Sequence, residues 1–424
     1  MSLKREGYKT RLVDKKLREY LKLFGAVSVE GPKWCGKTWT SLNHANSITY
    51  IMDPAGDYNN KTRAELNPSL VLEGKTPHVI DEWQEVPGIW DAVRFNVDQN
   101  PGFGKYILTG SVTPPRESYK HSGAGRIAIV RMRPMTLYES GDSDAAVSLI
   151  SLFSGKKINP FTADIDLVHL IDITIRGGWP QTLNLPLEKA GSVSVEYINA
   201  LLKNDLFNDN FSKRNSSKLH VLLRSLARNN ATTVSDATLT RDIAGNDTML
   251  SRNSIADYTA DLKRIFVIEE IPGWMPGIRS KTRIRMSGKL IFADPSLAIA
   301  ALGIGRQRLL EDLNSYGFMF ENLCLRDLYA YAELHGASLY HYRDNSNLEV
   351  DAIVEMKDGA WGAFEIKLGE NQVEGAAQTL LRLKKKIVSD GAREPSCLVV
   401  MTGGGLGWKR EDGVYVIPVN ALKP

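Results

Sequence analysis

The chain has 424 residues, 43% hydrophobic and 24% charged, with 35 Gly and 18 Pro, which excludes collagenous and low-complexity classes and suits about two to four globular domains. Fifty-three basic residues against 49 acidic ones leave a net charge of +4, an excess that permits a nucleic-acid partner without demanding one. Cys35, Cys324 and Cys397 lie far apart with no CxxC or CxxH spacing, so neither a disulfide framework nor a zinc knuckle is indicated and a reducing, cytoplasmic setting fits. The N-terminus is charged through Lys22 and lacks the apolar core of a signal peptide, and no run approaches the length of a membrane span.

In chain order, Val13, Leu17, Tyr20, Leu21 and Phe24 recur at helical spacing behind a basic face, predicting an amphipathic helix closed by Gly25 at C′. Apolar runs at 26–29, 47–52, 78–81 and 105–109 are separated by segments long enough for crossover helices, the rhythm of a parallel α/β sheet. Ser, Gly and Asp gather after Glu139, which ends a first domain at 1–140 and opens a helical connector or lid at 141–215. Residues 216–289 predict three helices and a strand pair. One reading is a winged helix, with Ser251 capping the third helix and Arg252, Asn253, Tyr258, Lys263 and Arg264 facing DNA; the other is a helical packing module. Residues 290–424 predict a helix at 310–334, strands at 339–343, 348–355 and 361–367, a helix at 372–388 and strands at 397–401 and 414–417, a second α/β unit.

Gly31, Pro32, Lys33, Trp34, Cys35, Gly36, Lys37 and Thr38 satisfy G-x-x-x-x-G-K-[ST] directly after an apolar run, the context a phosphate-binding loop requires. Backbone N–H groups turn towards phosphate there, Lys37 bridges the outer phosphates and Thr38 offers its hydroxyl to Mg²⁺; Trp39 ends the nucleotide-binding stretch. Asp81 and Glu82 close the run at 78–81: Asp81 suits Mg²⁺ held through water, and Glu82 suits polarising the attacking water. Thr109 and Ser111 set two hydroxyls beside Gly110, suited to sensing a γ-phosphate or orienting water, with Ser111 as the sensor. Arg126 follows a glycine-rich run and is the candidate cation for a transferring phosphoryl group, with Arg131 and Arg133 as competitors. Cys35 reads either as filler or as a thiol whose oxidation blocks nucleotide.

Together, the loop at 31–38, the stretch from Val79 to Gly88, the stretch from Ile107 to Ser111 and Gly123 to Arg126 resemble the prokaryotic AAA+ ATPases that carry a C-terminal restriction-endonuclease-like domain. Arg176-Gly-Gly-Trp-Pro180, Asp205, Phe320-Glu-Asn322, Glu349-Val-Asp351 and Glu365-Ile-Lys367 follow in that group's order, so the resemblance spans residues 20–370. It implies an α/β protein: a P-loop AAA+ parallel-sheet domain, a helical and winged-helix region, and a restriction-endonuclease-like domain at 290–424. ATP as the nucleotide, Mg²⁺ as cofactor, DNA as partner and a homo-oligomer with an arginine supplied in trans come with that resemblance.

Within it, Glu321, Asp351, Glu365 and Lys367 form the pattern of a PD-(D/E)xK nuclease. Carboxylates there hold Mg²⁺ at the scissile phosphate, Lys367 steers or deprotonates water, and the intervening residue keeps Glu365 and Lys367 on one strand face. Without the resemblance, Glu-x-Lys on a strand reads as an exposed ion-pair edge. Val350 stands where the motif has proline, so the fold and metal-binding residues carry over further than cleavage does. The expected function is a Mg²⁺-dependent ATPase coupled to a DNA-binding, nuclease-like region. Its alternatives are an ATP-gated nuclease and a non-hydrolysing nucleotide switch that binds DNA or a protein.

Overall fold

The computed structural model describes residues 3–114, 118–203, 215–244, 250–277 and 287–424. The chain forms two compact units, one of Met1–Pro134 with Ala260–Val267, the other of Met135–Lys203, Arg214–Thr259 and Ile268–Pro424. The first unit's main segment ends at Pro134, close to the boundary expected near residue 140. Asp205 lies outside the described residues.

The first unit is built on β1 (Ala26–Glu30), β2 (Ser47–Tyr50), β3 (His78–Asp81), β4 (Tyr106–Gly110) and β5 (Ile127–Arg131). All pairings are parallel, in the order β2-β3-β4-β1-β5. β1 and β4 are buried along their whole length, as expected of strands covered on both faces, which read as continuous apolar runs rather than alternating ones. Ala26, Ile80 and Leu108 pack in one core with Ile89, Trp90 and Val93 of the helix Gly88–Gln99.

Two sequence expectations change here. A fifth strand, β5, was not among the expected runs, although Ile127, Ala128, Ile129 and Val130 spell one. The opening helix covers only Val13–Tyr20. Gly25 is not its left-handed cap but a close-contact glycine: a Cβ there would lie 2.3 Å from Val97 Cγ1.

The second unit holds β6 (Val147–Ser148), β7 (Phe161–Ala163), β8 (Ile268–Ile271), β9 (Lys289–Phe292), β10 (Ser338–Arg343), β11 (Glu349–Glu355), β12 (Trp361–Lys367), β13 (Cys397–Thr402), β14 (Gly405–Lys409), β15 (Tyr415–Pro418) and β16 (Leu422–Lys423). Its main sheet has seven strands in the order β10-β11-β12-β13-β15-β14-β7. β10, β11 and β12 form an antiparallel meander, and β13 lies parallel to β12. The helix Val373–Ser389 makes that parallel connection, burying Val373, Ala376, Ala377, Leu380, Leu383 and Ile387 at helical spacing. The long helix Leu313–Leu334 precedes β10.

Of residues 141–215, expected as a connector, those at 141–203 lie in this unit: β7 pairs with β14, and β6 pairs with β16. Residues 215–292 supply the helices Ser216–Arg228, Asp236–Ile243 and Arg252–Arg264, then the antiparallel pair β8 and β9, with a further antiparallel bridge from Thr232 to Leu290. Asn215, Ser235 and Ser251 accept backbone N–H bonds from Lys218, Thr238 and Ser254, so each opening turn is capped.

Candidate functional site

The loop at 31–38 leaves the C-terminal end of β1, the middle region of the parallel sheet, where such sheets bind ligands. Gly31 is required by close approach, because a Cβ would meet Met132 O at 2.1 Å. Gly36 has φ of 101° and opens the helix Lys37–Leu42, a backbone state costly for any residue with a Cβ. Lys37 is buried and its Nζ donates to Pro32 O at 2.9 Å, folding the lysine back over its own loop.

Thr38 Oγ1 donates to Asp81 Oδ1 at 2.8 Å. β4 lies between β1 and β3 in the sheet, and its Thr109 Oγ1 donates to the same Asp81 oxygen at 2.6 Å. Burial raises the Asp81 pKa, with the Glu82 charge adding to the effect and Thr109, Thr38 and Lys37 opposing it. Glu82 has φ of 60°, and its N–H donates to Thr109 Oγ1 at 3.1 Å. Ser111 Oγ donates to Glu82 Oε2 at 3.0 Å, and Gln84 Nε2 donates to the same oxygen. The structure thus brings Lys37, Thr38, Asp81, Glu82 and Ser111 to one edge of the sheet. It gives Thr109 the part of holding Asp81, and Gln84, inside the 79–88 stretch but without an expected role, the part of holding Glu82.

Arg126 is not brought there. It precedes β5 and bonds through its carbonyl to the Ala26 N–H, at the start of β1. The five-residue strand separates that edge from the loop by about 13 Å. Its Nε pairs with Asp98 Oδ1 at 2.7 Å. Arg131 instead lies in register with Glu30 at the loop end, with its guanidinium 3.5 Å from the Phe266 ring centroid. Arg11 is a further residue the sequence did not flag. It is buried and donates to Cys35 O at 2.7 Å and Arg133 O at 2.8 Å, clamping the loop backbone. Cys35 is fully buried with Sγ towards Met132 O, so it packs rather than facing an oxidant. Trp34 and Trp39 are exposed on the loop and its helix.

The expected nuclease-like residues also meet, within the second unit. Glu321 comes from the helix Leu313–Leu334, Asp351 from β11, and Glu365 and Lys367 from β12. Lys367 Nζ lies 3.1 Å from Asp351 Oδ2 and 2.7 Å from Glu365 Oε2. A residue the sequence did not single out enters as well: Lys289 Nζ, at the start of β9, lies 2.5 Å from Glu321 Oε1 and 3.8 Å from Asp351 Oδ1. Burial raises the pKa of Glu365 and Glu321, each reinforced by the Asp351 charge. Burial acts the same way on Asp351 but is outweighed by Lys289 and Lys367, which hold its pKa low. His341 is pushed down to about 4 by burial and by Lys289, and its Nε2 meets Ser287 O at 3.0 Å. A divalent ion does not fit this donor set well, because an ammonium already engages the carboxylates it would bridge.

Other motif residues have architectural roles. Gly178 N–H donates to Asp294 Oδ2 at 2.9 Å, and a Cβ on Gly178 would fall 2.1 Å from Met135 O. Asp294 in turn pairs with buried Arg326 at 2.7 Å, while Arg176 pairs with Asp142. Of the residues expected to face DNA, Arg252 and Asn253 are exposed. Tyr258 is buried with its hydroxyl accepting the Asn215 N–H, and Arg264 donates to Thr113 O and pairs with Asp261. Those two are therefore engaged within the fold, Tyr258 by burial and Arg264 by local polar contacts. Lys263 is half-buried.

Residues 24–140 match the family described as an AAA domain. The first unit therefore carries a parallel-sheet, P-loop ATPase-like domain whose sequence is similar to the AAA domain family. Residues 168–308 and 316–422 match two domains of unknown function, DUF8612 and DUF4143. Uncharacterized proteins of Mycobacterium bovis (Mb2031c) and Mycobacterium tuberculosis (Rv2008c) are each 25% identical over 355 residues, 83% of this chain and 72% of theirs. The Walker-type ATPase of Pyrococcus abyssi is 16% identical with a TM-score of 0.43, covering 71% of this chain and 97% of that one. The Thermotoga maritima RuvB Holliday junction branch migration motor is 15% identical with a TM-score of 0.27, covering 64% and 94%. No described helix is long and apolar enough to cross a membrane.

Proposed function

We propose that the P-loop domain binds Mg·ATP and hydrolyses it, and that the described helices and strands within residues 216–289 belong to a winged-helix module through which the protein contacts DNA. The observation that carries the first part is the chain of bonds from Thr38 to Asp81 to Thr109, which joins the phosphate loop to the neighbouring strand ends in one constellation. The Thr38 hydroxyl and the Asp81 carboxylate are hard oxygen donors, the type that holds magnesium beside phosphates. When bound, that ion neutralises charge on the β- and γ-phosphates. Lys37 exchanges the Pro32 carbonyl for phosphate oxygens. Ser111 and Gln84 fix one oxygen of Glu82 and so orient the carboxylate that accepts a proton from the attacking water.

Support for the second part is the order of three capped helices followed by an antiparallel pair, with Arg252 and Asn253 exposed at the start of the third helix. Phosphate release from Mg·ATP, with and without duplex DNA, tests both parts in the wild type, Lys37→Ala and Glu82→Gln. Hydrolysis lost in both variants and raised by DNA in the wild type is the expected result. Unchanged hydrolysis in Lys37→Ala sinks the site assignment, and indifference to DNA sinks the coupling.

A further inference from the structure

The nuclease-like cluster contains its own cation. Glu321, Asp351 and Glu365 would present three negative charges to a divalent ion, yet Lys289 Nζ stands 2.5 Å from Glu321 and 3.8 Å from Asp351, and also 3.5 Å from the Asp351 carbonyl oxygen. Lys367 covers the other side, between Asp351 and Glu365. Two ammonium groups against three carboxylates leave at most one negative charge. We propose that Lys289 takes the place of a divalent ion between Glu321 and Asp351, so that the C-terminal unit keeps a nuclease-like carboxylate set that neither binds Mg²⁺ or Mn²⁺ nor cleaves phosphodiesters.

Ligand chemistry and geometry both support this. A magnesium ion needs carboxylate oxygens at about 2.0–2.1 Å in a near-octahedral shell. An ammonium directs three N–H donors at those same lone pairs. Both cations bridging the same carboxylates would repel each other across a few ångströms in a site that water screens poorly. Among the described residues, no three His, Cys, Asp or Glu side chains form a group able to hold a metal ion.

Lys289 is also not free to withdraw. It is 1% exposed. Its strand is fixed on every side: Lys289 pairs with Ile271 of β8, and Leu290 N–H donates to Thr232 O. Phe292 N–H donates to Asn230 Oδ1, and Phe292 O accepts from Asn322 Nδ2. Asn322 follows Glu321 on the same helix, so strand and carboxylate are held in one register. The backbone that carries the amine is therefore held in place, and withdrawal of the amine would need a rotamer change inside a buried site.

The test is Mn²⁺ binding followed by electron paramagnetic resonance on the full chain, without nucleotide and in an Asp81→Asn background. The phosphate-loop site then contributes nothing, and failure of the ATPase proposal stays separate from failure of this one. With Lys289 intact, no stoichiometric Mn²⁺ binding is expected. Lys289→Ala is expected to create one site per chain with a Kd below about 1 mM, the weak end of carboxylate sites, and Asp351→Asn is expected to remove it. Lys289→Met keeps the stem volume and serves if the alanine variant does not fold. Stoichiometric Mn²⁺ on the lysine-containing chain, abolished by Asp351→Asn, overturns the proposal. So does a folded Lys289 variant that gains no Mn²⁺, or Mn²⁺-dependent nicking of plasmid DNA that disappears in Lys367→Ala.

Discussion

The molecule holds two carboxylate constellations, one at strand ends of the first unit and one between a helix and two strands of the second, and they are held in opposite ways. In the first unit, hydroxyls and an amide hold Asp81 and Glu82, while Lys37 is turned onto a backbone carbonyl. In the second, lysine ammoniums hold Glu321, Asp351 and Glu365 directly. A carboxylate held by neutral donors keeps its charge available for an external cation, whereas one paired with a buried ammonium has already used it. Residue types alone do not distinguish a working acidic site from a self-neutralised one; the identity of the hydrogen-bond donors does.

The largest effects should fall on the first site. Glu82→Gln is expected to lower kcat for ATP hydrolysis by about 10²–10⁴ and to leave nucleotide binding intact, read by phosphate release against nucleotide titration. Lys37→Ala is expected to lose about 10²–10³ in rate with weakened binding as well. If Glu82→Gln hydrolyses at the wild-type rate, the first constellation is not catalytic and the contrast between the sites fails.

Next in size is stability at the second site. Lys289→Met leaves buried carboxylates without their cation and is expected to cost about 3–5 kcal/mol, while adding Glu321→Gln to it should restore part of the loss. Urea unfolding reads both. A Lys289→Met chain as stable as the wild type would mean that the ammonium is not the partner the geometry makes it.

Asp81→Asn sharpens the comparison from the other side. Because burial raises the folded-state pKa of Asp81, its ionised form costs stability above that pKa, and the cost disappears once the pH falls below the ordinary value of 3.8. Asp81→Asn is therefore expected to raise the Tm at pH 7, with the gain vanishing in acid, while abolishing Mg·ATP hydrolysis. A lowered Tm at pH 7 would show that Asp81 is stabilised by its hydroxyl donors as strongly as Asp351 is by lysines. The smallest expected effect is on DNA: Arg252→Ala should weaken binding similarly across sequences and reduce the salt slope by about 1.

Much of the first site was legible because its chemistry is local. The phosphate loop is one contiguous string, and Asp81 and Glu82 end an apolar strand, so spacing alone places them. Gln84 and Thr109 were less legible, since their roles depend on which strands lie next to one another. Arg126 misled because a glycine-rich run before an arginine says nothing about which end of β5 the arginine occupies. Tyr258 misled for a related reason: an aromatic beside basic residues suits a DNA face, but helical phase turned it towards Asn215.

The sequence by itself determined the parallel-sheet rhythm of the first unit, the glycine-rich loop at 31–38 after its first strand, most strand and helix positions in the second, and the order of Glu321, Asp351, Glu365 and Lys367. Those features follow from backbone preferences and from the periodicity of apolar residues, which act over a few positions. Only the tertiary structure decided that residues 147–163 add strands to the second unit, that Arg126 sits away from the glycine-rich loop, and that Lys289 lies against Glu321 and Asp351. Lys289 is 32 positions from Glu321 and 62 from Asp351. Contacts across such separations are set by which surfaces bury together, and no local pattern around a lysine at the start of a short strand records that it will end among carboxylates.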